Sequence, residues 1–290
     1  MERIWVLDLY GFLLKTAGDD WMPAHNCVYL PAYSGKSDRR MKLTYLFHSG
    51  FAVEAEDCLL VFDYWMDPAR VVPGLLRSDK PLYVFASHFH EDHFNREIFA
   101  WRAEKAGIKY LLSKDICKRR RARREEADAW LAKGACWADG HIRVQAMGST
   151  DSGVSWMVEA GGKRIFHAGD LNNWYARFLT EDYAGGTIYS PEFGVEVDPG
   201  REEKRYLGEL KDIRKATDRF DVAMFPVDSR IGNGYTRGAR QFVGQFQVGL
   251  FVPMHFAAGG FEPAWRMQEF ADEAGVRFWR IGREGEEIEV

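Results

Sequence analysis

Cysteine is scarce in this chain, and its distribution excludes more than its number does. Four occur in 290 residues, Cys27, Cys58, Cys117 and Cys136, with no C-x-x-C pair among them. That pattern argues against a cysteine-based zinc framework and a dense disulfide scaffold, and it reads as reduced thiols in a cytoplasmic protein. Long apolar runs are missing too. The opening MERIWVLDLYGFLL is broken by Asp8 and shows no small-residue cleavage site, so it makes a poor signal peptide, and no stretch approaches a membrane span. Nor does one charge dominate: a formal net charge of −4 argues against a general polyanion binder. What is left is a globular, non-membrane protein whose 46% hydrophobic content suffices for a sizeable core.

Organisation changes near residue 40. TAGDDWMPAHNCVYLPAYSGKSDRR has no sustained period of two or 3.6 and is punctuated by Pro, Gly and Ser. Residues 1–40 therefore read as an N-terminal extension and residues 41–290 as one domain. MKLTYLFHSGFAVEAEDCLLVFDYW predicts strands near 42–48, 51–55 and 59–64. LYVFAS is a buried-type strand, a helix is expected from Phe94 to a stop at Gly107, and IKYLL is another strand. KDICKRRRARREEADAWLAKG reads as a charged helix ending at Gly134. HIRVQAM, VSWMVEA and KRIFHAG are strands, the last two joined in a hairpin by Gly161-Gly162. Strand and helix then alternate: helices at 201–217, 237–247 and 263–274, strands at 221–227, 250–254 and 276–281. The order implies an α/β protein with sheets covered by helices.

The chain holds eight histidines, and three of them fall in SHFHEDHFN, residues 87–95. His88, His90, Asp92 and His93 have the spacing H-x-H-x-D-H in a loop leaving a strand. Two histidines one residue apart can converge on one cation, and Asp92 and His93 then project towards a second. A solvated loop accounts for a lone histidine but not for four ligand-type residues at this spacing.

SHFHEDHFN resembles the signature of the metallo-β-lactamase-fold hydrolases. Further segments agree in order over residues 41–290: LFHSGFAVEAEDCLLVFDYW, KRIFHAGDLNNW and LFVPMHF are similar to the branch that includes ascorbate-6-phosphate lactonase. The resemblance implies a four-layer αββα sandwich with a dinuclear metal site at one sheet edge. It carries His88 and His90 to the first ion, Asp92, His93 and His255 to the second, and Asp170 to a bridge between them. It also exposes a departure. Where the family places a third first-site histidine, GSTDSGVSW has Ser149. Asp151, His167 or water remain to complete that site; Asp151 would favour Mn or Fe, whereas strand alternation turns His167 away from an inward Asp170. His48 is at best an outer partner of the site.

The implied cofactor is a pair of divalent ions, Zn first and Mn or Fe as alternatives. Such ions acidify water from a pKa of ~15.7 towards ~7, with Asp92 as the group that orients it or takes its proton. The expected reaction is hydrolysis of a small ester, lactone, amide or phosphoester. Asn172, Asn173, Trp174 and Tyr175 follow Asp170 and are candidate cleft residues. Asp228, Arg230 and Tyr235 sit on a Gly-rich loop suited to an anionic group, unless Asp228 and Arg230 simply pair. Two other functions stay open. A nuclease of the same fold would use the basic run CKRRRARREEADAW, though its acidic residues dilute it and a solvated helix face explains it better. A catalytically silent metal-binding protein would follow if Ser149 breaks the first site. The partner expected is a small-molecule substrate rather than nucleic acid, and a homo-oligomer is compatible with the sequence.

Overall fold

The computed structural model describes residues 40–191, 194–256 and 259–290, together with the backbone of Trp5–Leu7 and Leu13–Lys15. Those two short strands pair antiparallel within the expected N-terminal extension, whose other residues, Arg40 apart, lie outside the described ones.

Two seven-stranded sheets face one another. The first runs in the order Glu287–Glu289, Lys42–Phe47, Gly50–Glu54, Leu59–Phe62, Leu82–Ala86, Lys109–Ser113 and Ala129–Leu131. The second runs Arg277–Phe278, Gln247–Met254, Arg219–Pro226, Lys163–His167, Ser155–Ala160, Ile142–Met147 and Cys136–Ala138. Strand alternation explains why the central runs are apolar without interruption. Leu60, Phe62, Tyr83 and Phe85 face inward to a core shared with the second sheet. Leu59, Val61, Leu82 and Val84 face outward and are covered by Ile98, Trp101 and Ile116. On the far side, Tyr206, Leu210 and Ile213 of the helix Pro199–Ala216 and Phe242 of the helix Arg237–Val243 pack on the second sheet. Four layers result, as expected.

Most strands fall within a few residues of their expected positions, and Gly161 and Gly162 make the expected hairpin turn with φ of 54° and 74°. The long charged helix does not form. Lys114–Lys118 is helical, Arg120 turns left-handed at φ 58°, Arg124–Glu126 is a single 3-10 turn, and Ala129–Leu131 becomes the edge strand of the first sheet. Asp128 Oδ2 accepts a hydrogen bond from the Tyr110 backbone and starts that pairing, so tertiary contacts override helix propensity. The expected helix after Phe94 is a 3-10 segment, Arg96–Ala103, and the last expected strand shortens to Arg277–Phe278. Cys58 and Cys117 are free, but Cys136 is disulfide-bonded, which corrects the expectation of reduced thiols at that position. Among the described residues no helix is long and apolar enough to cross a membrane.

Candidate metal centre

Parallel strands of both sheets deliver their carboxyl ends to one edge of the sandwich, where open α/β sheets commonly bind ligands. Leu59–Phe62 ends at Asp63, and Leu82–Ala86 runs into Ser87–His93. From the second sheet, Lys163–His167 leads to Asp170, Arg219–Pro226 to Asp228 and Gln247–Met254 to His255. A hairpin turn at His48-Ser49 adds one more side chain. That turn is tied across the sandwich: the His255 N–H donates to the His48 carbonyl at 3.1 Å, and His167 Nε2 donates to the Ser49 carbonyl at 2.8 Å.

Two groups of ligand-type side chains gather there, His48, Asp92, His93 and His255 in one and His88, His90, Asp151 and Asp170 in the other. Asp170 reaches into both. Its Oδ1 lies 3.1 Å from His93 Nε2 and 3.2 Å from His255 Nε2, while its Oδ2 lies 3.2 Å from His88 Nε2. Although so close, His93 Nε2 and Asp170 Oδ1 are buried without a well-aligned hydrogen bond. Atoms held ~2.0–2.2 Å from one tetrahedral ion stand ~3.3–3.6 Å apart. The separations here, 3.0 Å for His88 Nε2 to His90 Nδ1, 3.7 Å for His90 Nδ1 to Asp151 Oδ2 and 3.4 Å for His48 Nε2 to Asp92 Oδ2, bracket that spacing. The donor set therefore fits divalent ions.

Beneath the ligands lies a closed hydrogen-bond network. Asp63 is fully buried and accepts from the Ser87 backbone at 2.7 Å, Ser87 Oγ at 2.6 Å and His93 Nδ1 at 2.6 Å. Ser87 Oγ also accepts from His88 Nδ1 at 3.0 Å. With Nδ1 of His93 and His88 engaged by Asp63 and Ser87, it is their Nε2 atoms that face the site. His255 is held the same way, its Nδ1 2.9 Å from Asp228 Oδ2, and Arg230 clamps Asp228 through Nε and Nη2 at 2.9 and 2.6 Å.

Electrostatics follow from this packing. Burial opposes the charge on Asp170, but His93, His88 and His255 outweigh it and hold the carboxyl well below its usual range. Burial likewise opposes the charge on Asp92, and the His48 hydrogen bond with neighbouring His93 keeps it ionised. Burial disfavours the imidazolium of His255, yet Asp170 and Asp228 raise its pKa to about 8. His48 goes the other way, lowered to about 4 by burial and by His255.

Of the expected residues, His88, His90, Asp92, His93, Asp170, His255 and Asp151 come together. His167 does not: its Nε2 serves Ser49, its Nδ1 accepts from the Gly169 backbone at 3.2 Å, and its ring stacks on Phe62. A cleft of about 940 Å³ opens above the two groups, walled in part by Trp174, Tyr175 and Arg230. Asn173 is not on its walls. It is 1% exposed and donates to Glu203 and Gln241, so its expected place in the cleft is corrected to a supporting one. Asn172 is equally buried, and its backbone N–H donates to Thr150 Oγ1. Tyr235 is likewise corrected, since its hydroxyl donates to the Pro263 carbonyl and its ring packs on the core. Asp228 and Arg230 pair with each other, and both still face the cleft. The sequence assigns no role to Asp63 or Ser87 and gives His48 no more than an outer place. The only hint of them was position, a strand-end Asp, the residue before His88, and a histidine in a tight turn.

No known family model matches the chain. A UPF0173 metal-dependent hydrolase of Symbiobacterium thermophilum is 25% identical over 235 residues, 74% of this chain and 84% of the relative. Among solved structures, a metallo hydrolase, Igni18, from Ignicoccus hospitalis superposes with a TM-score of 0.59 at 18% identity, covering 87% of this chain and 98% of that one. The metallo-β-lactamase-fold protein YhfI from Bacillus subtilis superposes with a TM-score of 0.53 at 14% identity, covering 87% of this chain and all of that one, 100%. The chain has the metallo-β-lactamase fold.

Proposed function

We propose that the chain is a metal-dependent hydrolase working through two divalent ions. One observation carries the reading: the two oxygens of Asp170 are divided between two separate ligand groups. The relative from Symbiobacterium, named a metal-dependent hydrolase, supports the reaction class.

In this reading His88, His90, Asp151 and Asp170 hold one ion, and Asp92, His93, His255 and Asp170 the other. Divalent ions held there supply Lewis acidity to a carbonyl or phosphoryl oxygen and acidify water to a pKa near ~7. The protein supplies orientation and proton handling. Asp63, Ser87 and Asp228 fix the tautomers of His93, His88 and His255. Asp92 is ionised and partly open to the cleft, its side chain 32% exposed, so it can accept the proton of an attacking water. Trp174 is fixed by its indole N–H, which donates to the Asp170 carbonyl at 2.9 Å, and its ring packs against His255. With Tyr175 it forms an aromatic wall for an organic substrate. Zn is the ion expected first, and a small ester, lactone, amide or phosphoester is the substrate class.

The finer likeness to the ascorbate-6-phosphate lactonase-like branch makes lactones the first compounds to try. The nuclease reading loses support because half of the basic run has partners within the chain: Arg121 pairs with Glu91, Arg123 with Glu125 and Glu126, and Arg119 lies over Phe89. The test is hydrolysis of a panel of lactones, carboxylic esters and phosphoesters by chelator-stripped and metal-restored protein, alongside Asp92→Asn. Metal-restored turnover that falls ~10²–10⁴-fold in the variant supports the proposal. Full turnover without metal, or none on any compound with metal bound, counts against it.

A further inference from the structure

Like Asp151, which lies between the antiparallel strands Ile142–Met147 and Ser155–Ala160, His48 comes from a connection between antiparallel strands, here the two-residue turn between Lys42–Phe47 and Gly50–Glu54. Its backbone is left-handed, φ 55°, as is that of His255 at φ 69°. A residue with a Cβ is strained in that region, which favours glycine. Strain of this kind calls for a functional explanation when the surroundings enforce it.

Here they do. The His48 backbone is held by Tyr45 and by the His255 N–H, so the two strained histidines are locked to each other. Their rings lie 4.2 Å apart. The side chain is 2% exposed, and its Nε2 points to the Asp92 carboxylate at 3.4 Å, within the same compact group as His93 and His255.

Resting on the metal-dependent reading above, we propose that His48 is a ligand, so that with Asp92, His93, His255 and the shared Asp170 this position has three imidazoles and two carboxylates. The neighbouring group, His88, His90, Asp151 and Asp170, then has two nitrogens and two carboxylates. The two positions differ in character. The nitrogen-rich one suits Zn, and the oxygen-rich one suits a harder ion such as Mn or Fe(II). The protein is thus built to hold two unlike ions rather than a matched pair.

The experiment is metal loading of the stripped full-length chain with Zn²⁺ and Mn²⁺, together and singly, with elemental analysis and chelator competition. It compares wild type with His48→Ala, His48→Gln and Asp151→Ala. His48→Gln keeps a donor for Asp92 but offers no imidazole lone pair, which separates a ligand from a mere hydrogen-bond donor. Circular dichroism checks folding of each variant. The expected result is that both His48 variants lose Zn affinity by more than the ~10–100-fold that removal of an orienting partner costs, with Mn retained. Asp151→Ala does the reverse. Co²⁺ in the Zn position should show a visible spectrum that changes in His48→Gln and not in Asp151→Ala. Zn affinity in His48→Gln within twofold of wild type overturns the assignment while leaving the hydrolase reading intact. A wild-type chain that binds no ion overturns both.

Discussion

His93 Nδ1 lies 2.6 Å from Asp63 Oδ2, and neither side chain is open to solvent. Asp63 accepts three hydrogen bonds in all, two of them from Ser87, so its full charge is used in placing the loop that carries His88 and His93. Asp63→Asn keeps the volume but sets an amide N–H against donors. Metal affinity should fall ~10–100-fold, read by chelator competition. Unchanged affinity would show that the loop holds its shape without Asp63.

His167 tests the boundary of the site from the other side. Its two ring nitrogens are spent on Ser49 and Gly169, so His167→Phe should leave two unmatched backbone groups and cost ~1–3 kcal/mol for each that stays unsatisfied. Denaturant unfolding measures the cost, and metal content should not change. Loss of one equivalent of metal would return His167 to the ligand set.

Close approach at two glycines gives a third prediction. A Cβ on Gly153 would stand 2.0 Å from the Ser87 carbonyl oxygen, and one on Gly169 would stand 2.7 Å from Ser87 Cβ. Gly162 has a similarly left-handed backbone but meets nothing. Gly162→Ala should cost only ~1–2 kcal/mol of backbone strain. Gly153→Ala and Gly169→Ala should cost clearly more and weaken metal binding by displacing Ser87 and His88. Equal melting temperatures for the three variants would contradict the crowding.

Glu203 links stability to pH. Burial opposes its charge, but Arg237 and Gln241, with Asn173, hold its pKa below the usual 4.5. A depressed folded-state value means that its contribution is present in full above pH 4.5 and is lost as pH falls through the folded value. In Glu203→Gln that acid-side loss should be absent, so the stability difference from wild type should shrink below pH ~4.5. Urea unfolding across pH 3–7 checks it; a difference that does not vary with pH would contradict it.

Much of the site was legible because its ligands are dense in sequence: His88, His90, Asp92 and His93 lie within one loop. Asp170 and His255 needed a resemblance to be singled out, since each alone looks like an ordinary strand-end residue. Asp63 and Ser87 carry no signal in the sequence, and His48 reads only as an outer partner, because their roles depend on strands brought together from distant parts of the chain. Strands of the sheet centre were legible for a simple reason, burial on both faces. The long charged helix expected after Lys114 does not form because its composition favours helix while parallel pairing to Lys109–Ser113 favours strand, and only the folded context decides between them. Asn173 and Tyr235 were polar residues near the site whose hydrogen bonds turn away from it, which spacing alone does not reveal.

The central claim is that Asp170 bridges two ions, and metal stoichiometry tests it most directly. Elemental analysis of purified, metal-saturated wild type should give two equivalents of divalent metal, and Asp170→Ala, shown by circular dichroism to be folded, should hold one or fewer. A wild type that saturates below two, or an Asp170→Ala variant that keeps both, would contradict the account.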